Sequence, residues 1–405
     1  MTTNSTKLKE IAREAIDKSL TDLHKLSQDI WNNPELAFKE YFAHERLATF
    51  LETLNFTVQR KFKLETAFKA CYGKESSPGP HVAVLCEYDA LPGIGHACGH
   101  NLIAEVGVGA ALGIQAAMKA ADQPMGKLTV LGTPAEEGMC GKADLIQLGA
   151  FEGLDVAMMA HPSQVTLSKP RYVSMTPVNI IYKGKASHAS SYPWEGVNAL
   201  DAAVMCYNNI SCLRQQMKPD WRVHGVIKNG GEQANIIPEE TELEYYIRTP
   251  NDTDMIVLRK KISDCIEAAA MATGCTVDYK FGSKSYSYLL SNQTLAALFE
   301  HNAELVGVVF ETDEEKRQKF GGSTDMGNVS QILPSIHPKF YIGTNFSQHS
   351  KEFAVAAGDP MAQPYTLAVA KALAMTAIDL FTDPSILEKV RRDFEEDIQR
   401  KCSAR

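Results

Sequence analysis

The chain opens with regularly spaced apolar residues and continues with short apolar runs between polar ones. Over residues 7–30 the apolar side chains recur about every 3.6 residues, which predicts one amphipathic helix. Short apolar runs bounded by Gly, Pro or charge predict buried strands at 81–88, 127–135 and 154–160. Further helices are predicted at 42–54, 102–120 and 142–149. Strands that alternate with helices in this way are typical of an α/β fold with a mostly parallel sheet.

A different order of elements begins near Val173. From there to about residue 290 the patterns predict the order β-α-β-β-α-β, which is that of a ferredoxin-like unit. A late strand at 340–345 and a closing helix at 363–381 then resume the first pattern. The sequence therefore predicts a two-domain α/β protein. One domain is formed by residues 1–172 and 291–405, and the other, residues 173–290, is inserted into it.

Composition and charge narrow the classes of partner and the cellular location. The chain has 405 residues and a formal net charge of -8, without a cluster of Lys and Arg of the kind that binds nucleic acid. The first 20 residues are polar and charged, unlike a signal peptide or a membrane anchor. The nine cysteines are an odd number without a CxxC spacing, which favours reduced thiols. We therefore expect a cytoplasmic protein with neither a nucleic-acid nor a membrane partner.

Candidate metal ligands follow two of the predicted strands. The first strand runs into a loop that holds Cys98 and His100, which an extended backbone would place on the same side. A thiolate and an imidazole there could share one metal ion. The second strand ends at the adjacent acids Glu136 and Glu137, which an extended segment would point in opposite directions. One acid could then bind a metal while the other acts as a general base.

Two histidines extend this set. His161 ends the third strand, and His349 lies in a polar loop after the late strand. A single histidine of this kind is more often structural than a ligand, but strand ends in an α/β sheet converge on one rim. Five N, O and S ligands suffice for two Zn-like ions when one ligand is shared. The candidate ligands are Cys98, His100, Glu137, His161 and His349, with Glu136 left as the base.

Other interpretations of these residues belong to different functional classes. Cys98 could be a nucleophile with His100 or His96 as its base. The glycines of residues 107–113 have the spacing Gly-x-Gly-x-x-x-Gly within an Ala-rich run, so close helix packing explains them better than a bound nucleotide. A non-catalytic binding protein on the same fold would lack a ligand or the base, and none is missing here.

Several sequence motifs occur together in the order of a known family. They are WNNPELAFKE, EYDALPGIGHACGHN, PAEEG, AHP, GKASHAS, GGEQANIIPEE, GGSTDMGNVS and HSKEF. Through them the chain resembles, over nearly its whole length, the zinc aminoacylase and carboxypeptidase family of metallopeptidases, in its amidohydrolase branch. The resemblance implies a catalytic domain with two divalent ions, Zn²⁺ or alternatively Mn²⁺. It also implies that the inserted domain serves as a lid and forms a homodimer.

The resemblance further implies roles for single residues. Cys98 would be the bridging thiolate, and Glu136 would take a proton from the attacking water and return it to the leaving amine. His188 of GKASHAS would polarise the scissile carbonyl, often from the partner subunit. Asn235 and Arg248 would hold the carbonyl and the carboxylate of the substrate, since a guanidinium group binds a carboxylate at two points.

The substrate is also suggested by resemblance. Within the amidohydrolase branch the chain resembles dipeptidases that act on dipeptides with a C-terminal Lys, Orn or Arg, including β-alanyl-lysine, and the resemblance implies that such dipeptides are by-products of dipeptide synthesis. An N-acyl amino acid or aminobenzoyl-glutamate-type amidohydrolase is the alternative. Relatives carry Asp after HACGH and a Gly run after PAEEG, where this chain has Asn101, Met139 and Cys140. Glu87 stands where related carboxypeptidases place a histidine ligand, so Glu87 and Asp89 are expected to line the site.

Overall fold

The chain divides into two compact units, each with its own apolar core. The computed structural model describes residues 3–74 and 77–403. The first unit extends to Arg171 and resumes at Leu289, and the second extends from Tyr172 to Tyr288. The chain therefore leaves the first unit once, builds the second, and returns.

Helices surround a central sheet in the first unit. Its first helices are α1 (Thr3–Lys18), α2 (Leu20–Trp31), α3 (Tyr41–Thr53), α4 (His100–Ala120) and α5 (Gly141–Gln147), and its first strands are β1 (Thr57–Arg60), β2 (Phe68–Tyr72), β3 (His81–Cys86), β4 (Lys127–Gly132), β5 (Val156–Met158) and β6 (His161–Ser163). After the second unit follow α8 (Gln293–Glu304), α9 (Glu314–Gln318), α10 (Met326–Ser330), β11 (Ser335–Ile336), β12 (Lys339–Tyr341), α11 (Lys351–Gly358), α12 (Gln363–Thr382) and α13 (Pro384–Ser403).

The central sheet has the strand order β1-β2-β4-β3-β5-β11. Strands β4, β3, β5 and β11 are parallel, and β1 and β2 join antiparallel at one edge. The predicted mostly parallel sheet is thereby confirmed. Cys86 at the end of β3 pairs with Gly132 at the end of β4, and Val84 pairs with Met158 at the end of β5. The carboxyl ends of these three strands therefore meet at one edge.

Helix α4 lies at the centre of the first unit. It packs against β3 and β4 on one side and against α1, α2 and α12 on the others, so nearly all of its residues are buried. By length and composition α4 and the segment Pro360–Thr382 could each cross a membrane, but both are mostly buried within the fold. Core helices of soluble proteins meet the same criterion, so this feature is weak support for a membrane location.

The opening segment departs from its prediction. Instead of one helix over 7–30, α1 ends at Lys18 and α2 begins at Leu20, with Ser19 between them. Both helices pack against α4, and α1 also packs against α12. The break at Ser19 therefore divides the predicted helix into two helices that both pack on the core. At the other end of the chain the predicted closing helix is present as α12, but α13 follows it.

The second unit is a four-stranded antiparallel sheet with two helices. Its elements are β7 (Ser174–Lys183), α6 (Ala199–Leu213), β8 (Arg222–Asn229), β9 (Glu240–Thr249), α7 (Asp252–Thr273) and β10 (Thr276–Phe281). The strand order is β10-β7-β9-β8, and α6 and α7 pack on the sheet and on each other. This is the ferredoxin-like β-α-β-β-α-β arrangement, so the predicted fold class is confirmed.

An ionisable group is buried in the core beside α4. The carboxyl of Glu105 has no exposed surface, and it accepts a hydrogen bond of 3.0 Å from Nε2 of Gln363. Burial raises the pKa of Glu105 from 4.5 to about 8, against the opposing effect of hydrogen bonds from Gln363 and Ser27. The folded protein therefore keeps this carboxyl protonated at pH values where the unfolded chain ionises it.

We expect Glu105→Gln to stabilise the protein as pH rises. A raised pKa in the folded state means that the wild type loses stability between about pH 4.5 and about pH 8, because only the unfolded chain releases the proton. The advantage of the variant should grow over this range to the order of a few kcal/mol. Urea unfolding at both pH values measures it, with the exposed Glu388→Gln as the control. A pH-independent difference would contradict the expectation.

Candidate metal centre

The candidate ligands come from four segments of the first unit. Residues 87–100 follow β3, residues 133–140 follow β4, His161 begins β6 with two residues between it and the end of β5, and His349 lies between β12 and α11. Because β4, β3 and β5 are adjacent parallel strands, the segments after them emerge at the same edge of the sheet. The site is therefore built from residues that are far apart in the sequence.

A tight turn brings Cys98 and His100 together. Gly99 has left-handed backbone angles, φ 78° and ψ 26°, and His100 is the first residue of α4. A Cβ at position 99 would lie 2.6 Å from Cγ of Pro162, so glycine is required there. The expected extended backbone is therefore wrong, although Cys98, His100 and His161 do have ligand atoms within 4.8 Å of one another.

The two acids after β4 also lie in a turn. Ala135 has φ 61°, and the chain turns at residues 137–139. Oε2 of Glu136 and Oε1 of Glu137 each lie 4.0 Å from Nε2 of His100. The expectation that these acids point in opposite directions is wrong, because the turn brings both carboxyls to the same imidazole.

The candidate ligands form overlapping groups. Sγ of Cys98 lies 3.4 Å from Nε2 of His161, and Oε1 of Glu137 lies 3.2 Å from Nε2 of His349. Cys98 belongs to one group with His100 and His161 and to another with Glu137 and His349, each with ligand atoms within 4.8 Å. Ligands about 2.0–2.3 Å from a zinc ion are separated by comparable distances. The side chain of His349 is 54% exposed, so this ligand lies on the open side of the site.

Neighbouring oxygen atoms orient two of the histidines. Oδ1 of Asp89 lies 3.0 Å from Nδ1 of His100, and Oδ2 accepts a hydrogen bond of 2.9 Å from the backbone N–H of Glu137. Nδ1 of His161 lies 2.8 Å from the carbonyl oxygen of Pro162. Nε2 of His100 is buried without a hydrogen-bond partner among the described residues. A ring held at Nδ1 with Nε2 directed into the site is the usual arrangement of a metal-binding imidazole.

A buried lysine that the sequence did not single out lies beside these groups. Lys142 is fully buried and forms ion pairs with Glu87 and with Oδ1 of Asp325, at 2.7 Å in the second case. Its backbone N–H also donates to Oδ2 of Asp325. Glu87, Glu136 and Asp325 form a group that could hold a cation. The Lys142 ammonium is the positive charge that Glu87 and Asp325 bind. Nothing in the local sequence of Lys142 indicates this role.

The site concentrates negative charge and suits divalent cations. Burial, followed by the charges of Glu87 and Glu137, raises the pKa of the Glu136 carboxyl well above its ordinary value. Burial, followed by the charge of Glu137, likewise raises the pKa of the Cys98 thiol. Clustered thiol, imidazole and carboxylate ligands of this kind fit two divalent ions, which would relieve the repulsion.

The other predicted site residues lie in the second unit, at opposite ends of its sheet. His188 pairs with Ile236, and the N–H of Ala189 donates to the carbonyl oxygen of Asn235 at 3.0 Å, so His188 and Asn235 are neighbours. They follow the end of the sheet where Lys183 pairs with Glu240. Arg248 is near the other end of the ten-residue strand β9, roughly 26 Å from its start at the usual rise. Arg248 therefore does not lie beside His188 and Asn235.

The ring of His188 is held in one tautomer. The backbone N–H groups of Ser190 and Ser191 donate to Nδ1 of His188 at 3.3 and 3.2 Å. A neutral imidazole that accepts at Nδ1 carries its proton on Nε2. The exposed His188 side chain therefore presents a hydrogen-bond donor at its tip.

A sequence model of a peptidase family matches most of this chain, including the candidate ligands. The model named Peptidase family M20/M25/M40 matches residues 83–371. The chain belongs to the M20/M25/M40 peptidase family. The candidate metal ligands and the inserted unit described above therefore belong to a member of a peptidase family.

Individual M20 relatives agree with this membership. The chain is 52% identical over 397 residues to the Xaa-Arg dipeptidase of Mus musculus, covering 96% of this chain and 92% of the relative. It is 28% identical to one chain of the p-aminobenzoyl-glutamate hydrolase of Escherichia coli, covering 95% and 94%. The structure of the Bacillus subtilis YXEP protein, described as a dinuclear metal-binding peptidase, matches with a TM-score of 0.67 and 19% identity, covering 90% and 99%. This last likeness concerns the fold.

Replacing Cys98 should reduce the amount of bound metal more than replacing His161 or His349. Cys98 belongs to two of the ligand groups, whereas His161 and His349 each belong to one. We expect Cys98→Ala to lower the metal-to-protein ratio below that of His161→Ala or His349→Ala, and to remove the thermal stabilisation that added metal gives.

Elemental analysis and thermal unfolding with and without a chelator measure these effects. The matched control is Cys206→Ala, which removes a buried thiol from the core of the second unit. Wild-type metal content in Cys98→Ala would contradict the shared-ligand arrangement.

Proposed function

We propose that this protein is a metal-dependent dipeptidase that hydrolyses dipeptides with a basic C-terminal residue, Lys, Orn or Arg, including β-alanyl-lysine. The observation that carries the proposal is the 52% identity to an Xaa-Arg dipeptidase over nearly the full length of both chains. The ligand set Cys98, His100, Glu137, His161 and His349, with Glu136 beside it, supports hydrolysis as the chemistry. Removal of unwanted dipeptides, a form of metabolite repair, would suit such an enzyme.

The residues around the ligands suit proton transfer and charge stabilisation. Two bound divalent ions, Zn²⁺ by the preference of thiolate and imidazole or else Mn²⁺, would supply Lewis-acid activation of water and of the scissile carbonyl. Glu136 takes the proton of the attacking water and passes it to the leaving amine. Its position 4.0 Å from Nε2 of His100 keeps its carboxyl at the ligand cluster.

The second unit supplies the groups that recognise the substrate. Nε2 of His188, as a donor, stabilises the negative charge that develops on the carbonyl oxygen. Asn235 holds the carbonyl group of the substrate. The guanidinium of Arg248 binds the C-terminal carboxylate at two points. The hydrogen bonds from Ser190 and Ser191 to the His188 ring support this role, because they place the proton on the outward nitrogen.

We further propose a homodimer in which His188 and Asn235 act on the substrate bound by the other copy. Within one copy His188 and Asn235 lie beyond the end of the sheet at which β9 starts, and Arg248 lies roughly 26 Å from that start along β9, whereas the backbone of a dipeptide spans about 7 Å. Strand β8 lies at the edge of its sheet and exposes Val226 and Ile227. An exposed apolar edge strand is suited to pairing with a second copy.

A cytoplasmic location remains a proposal. It is supported by the nine cysteines, all of them free thiols in the described part of the chain. The acidic net charge and the lack of a basic cluster in the sequence keep nucleic acid outside the proposed partners. The proposed partner is therefore a small dipeptide and a second copy of the chain.

Amine release from a panel of substrates tests the proposed activity. We expect metal-dependent hydrolysis of β-alanyl-lysine and of an Xaa-Arg dipeptide, and little hydrolysis of a dipeptide with an acidic C-terminus or of an N-acetyl amino acid. The N-acyl amino acid or aminobenzoyl-glutamate alternative, which the 28% identical relative supports, requires the opposite preference. Hydrolysis of none of them would favour the non-catalytic alternative, a binding protein on this fold.

The variant Glu136→Gln separates loss of the general base from loss of bound metal. It should keep the metal content of the wild type and lose most of the turnover, by about 100-fold or more, because Gln cannot accept the proton. A burst of thiol acylation at Cys98 would instead support the alternative in which Cys98 is the nucleophile.

Mixing two inactive variants should restore activity if the site is shared between copies. His188→Ala and Glu136→Gln are each expected to have low activity as homodimers. In a mixed dimer, the intact Glu136 of one copy would meet the intact His188 of the other at one of the two sites. Steady-state assays after co-refolding measure the recovery, and native mass spectrometry verifies that mixed dimers form. Mixed dimers without recovered activity would contradict the proposal.

A further inference from the structure

The carboxyl group of Glu40 is buried in the first unit and is not among the metal ligands. Its Oε1 accepts hydrogen bonds from the backbone N–H groups of Phe38, at 3.0 Å, and of Ala135, at 2.8 Å. Its Oε2 accepts a hydrogen bond of 2.7 Å from the hydroxyl of Thr66. The Glu40 side chain has no exposed surface, so these three bonds replace the water it has lost. One side chain therefore joins three segments of the chain.

The backbone groups that Glu40 holds are unusual. Phe38 has φ 60° and Ala135 has φ 61°, both in the left-handed region that residues with a Cβ seldom adopt. Such conformations persist where the surrounding structure enforces them. A hydrogen bond from each N–H to the same oxygen of Glu40 is an enforcing contact of this kind.

Ala135 directly precedes Glu136, and a second carboxyl holds the residue that follows. The N–H of Glu137 donates to Oδ2 of Asp89 at 2.9 Å. The backbone is therefore fixed on both sides of Glu136 by buried carboxyl groups from different parts of the chain. Thr66 is itself held, since its carbonyl oxygen accepts a hydrogen bond of 2.6 Å from the hydroxyl of Tyr88.

We propose that Glu40 is a positioning residue for the general base: it holds the turn at Ala135 so that the Glu136 carboxyl faces the attacking water. The inference rests on the proposed function, in which Glu136 is that base. The ligands Glu137 and His100 are held independently of Glu40 by Asp89, which contacts both of them directly. Loss of Glu40 should therefore affect catalysis while leaving the metal in place.

Steady-state kinetics of Glu40→Met and Glu40→Gln test the proposal. Met fills the space without accepting a hydrogen bond, so kcat should fall by about 100-fold, the effect expected when a catalytic group is displaced by about 1 Å. KM and the metal-to-protein ratio should stay at their wild-type values. Gln keeps a carbonyl oxygen that can accept both N–H groups, so Glu40→Gln should retain most of kcat.

A second substitution separates positioning from general stability. Glycine adopts a positive φ without strain, so Ala135→Gly combined with Glu40→Met should recover part of the lost kcat. A purely structural role for Glu40 would not be corrected in this way, since glycine adds no contact. If Glu40→Met fails to fold, Thr66→Val removes only the hydroxyl donor to Glu40 and should lower kcat in the same direction by a smaller factor.

The possible outcomes distinguish the inference from the function on which it rests. Wild-type kcat in folded Glu40→Met, or a loss of kcat that parallels a loss of metal, overturns the positioning role. The same holds if Ala135→Gly gives no recovery. If the wild type itself hydrolyses no dipeptide, or if Glu136→Gln is as active as the wild type, the proposed function fails instead.

Discussion

The structure depends on compensating the repulsion among acidic groups that are largely buried at the carboxyl edge of one sheet. Glu87, Asp89, Glu136 and Glu137 lie within or beside a single cluster, and burial in an environment of low dielectric strengthens their repulsion. Compensation comes from the Lys142 ammonium, from hydrogen bonds to Asp89, and from the cations that the ligand groups suit.

The sheet topology makes that concentration possible. Parallel neighbours β4, β3 and β5 end together, so residues from segments far apart in the sequence reach one edge without long loops. The buried helix α4 starts at the same place and supplies His100 from its first turn. Regular elements thus carry the candidate ligands His100 and His161, while the turns at Gly99 and Ala135 position Cys98 and the two acids.

The second unit holds three of the predicted site residues. His188 and Asn235 lie beyond the end of its sheet where Lys183 pairs with Glu240, and Arg248 lies near the other end of β9. The same unit has an apolar edge strand at β8. The homodimer proposed above, in which each copy completes the other's site, would account for both features.

The sequence by itself determined the apolar strands and the ferredoxin-like insertion, because burial leaves a local periodic pattern, and it supplied the candidate ligand set as residues near predicted strand ends. It did not reveal the break at Ser19, the turns that aim Cys98 and the two acids, or the partnerships of Lys142 with Asp325 and of Glu40 with Ala135. Those depend on contacts between residues far apart in the chain, 183 positions in the first case and 95 in the second. Only the packed tertiary structure decides such contacts, because local periodicity records whether a residue is buried and not which residue it meets.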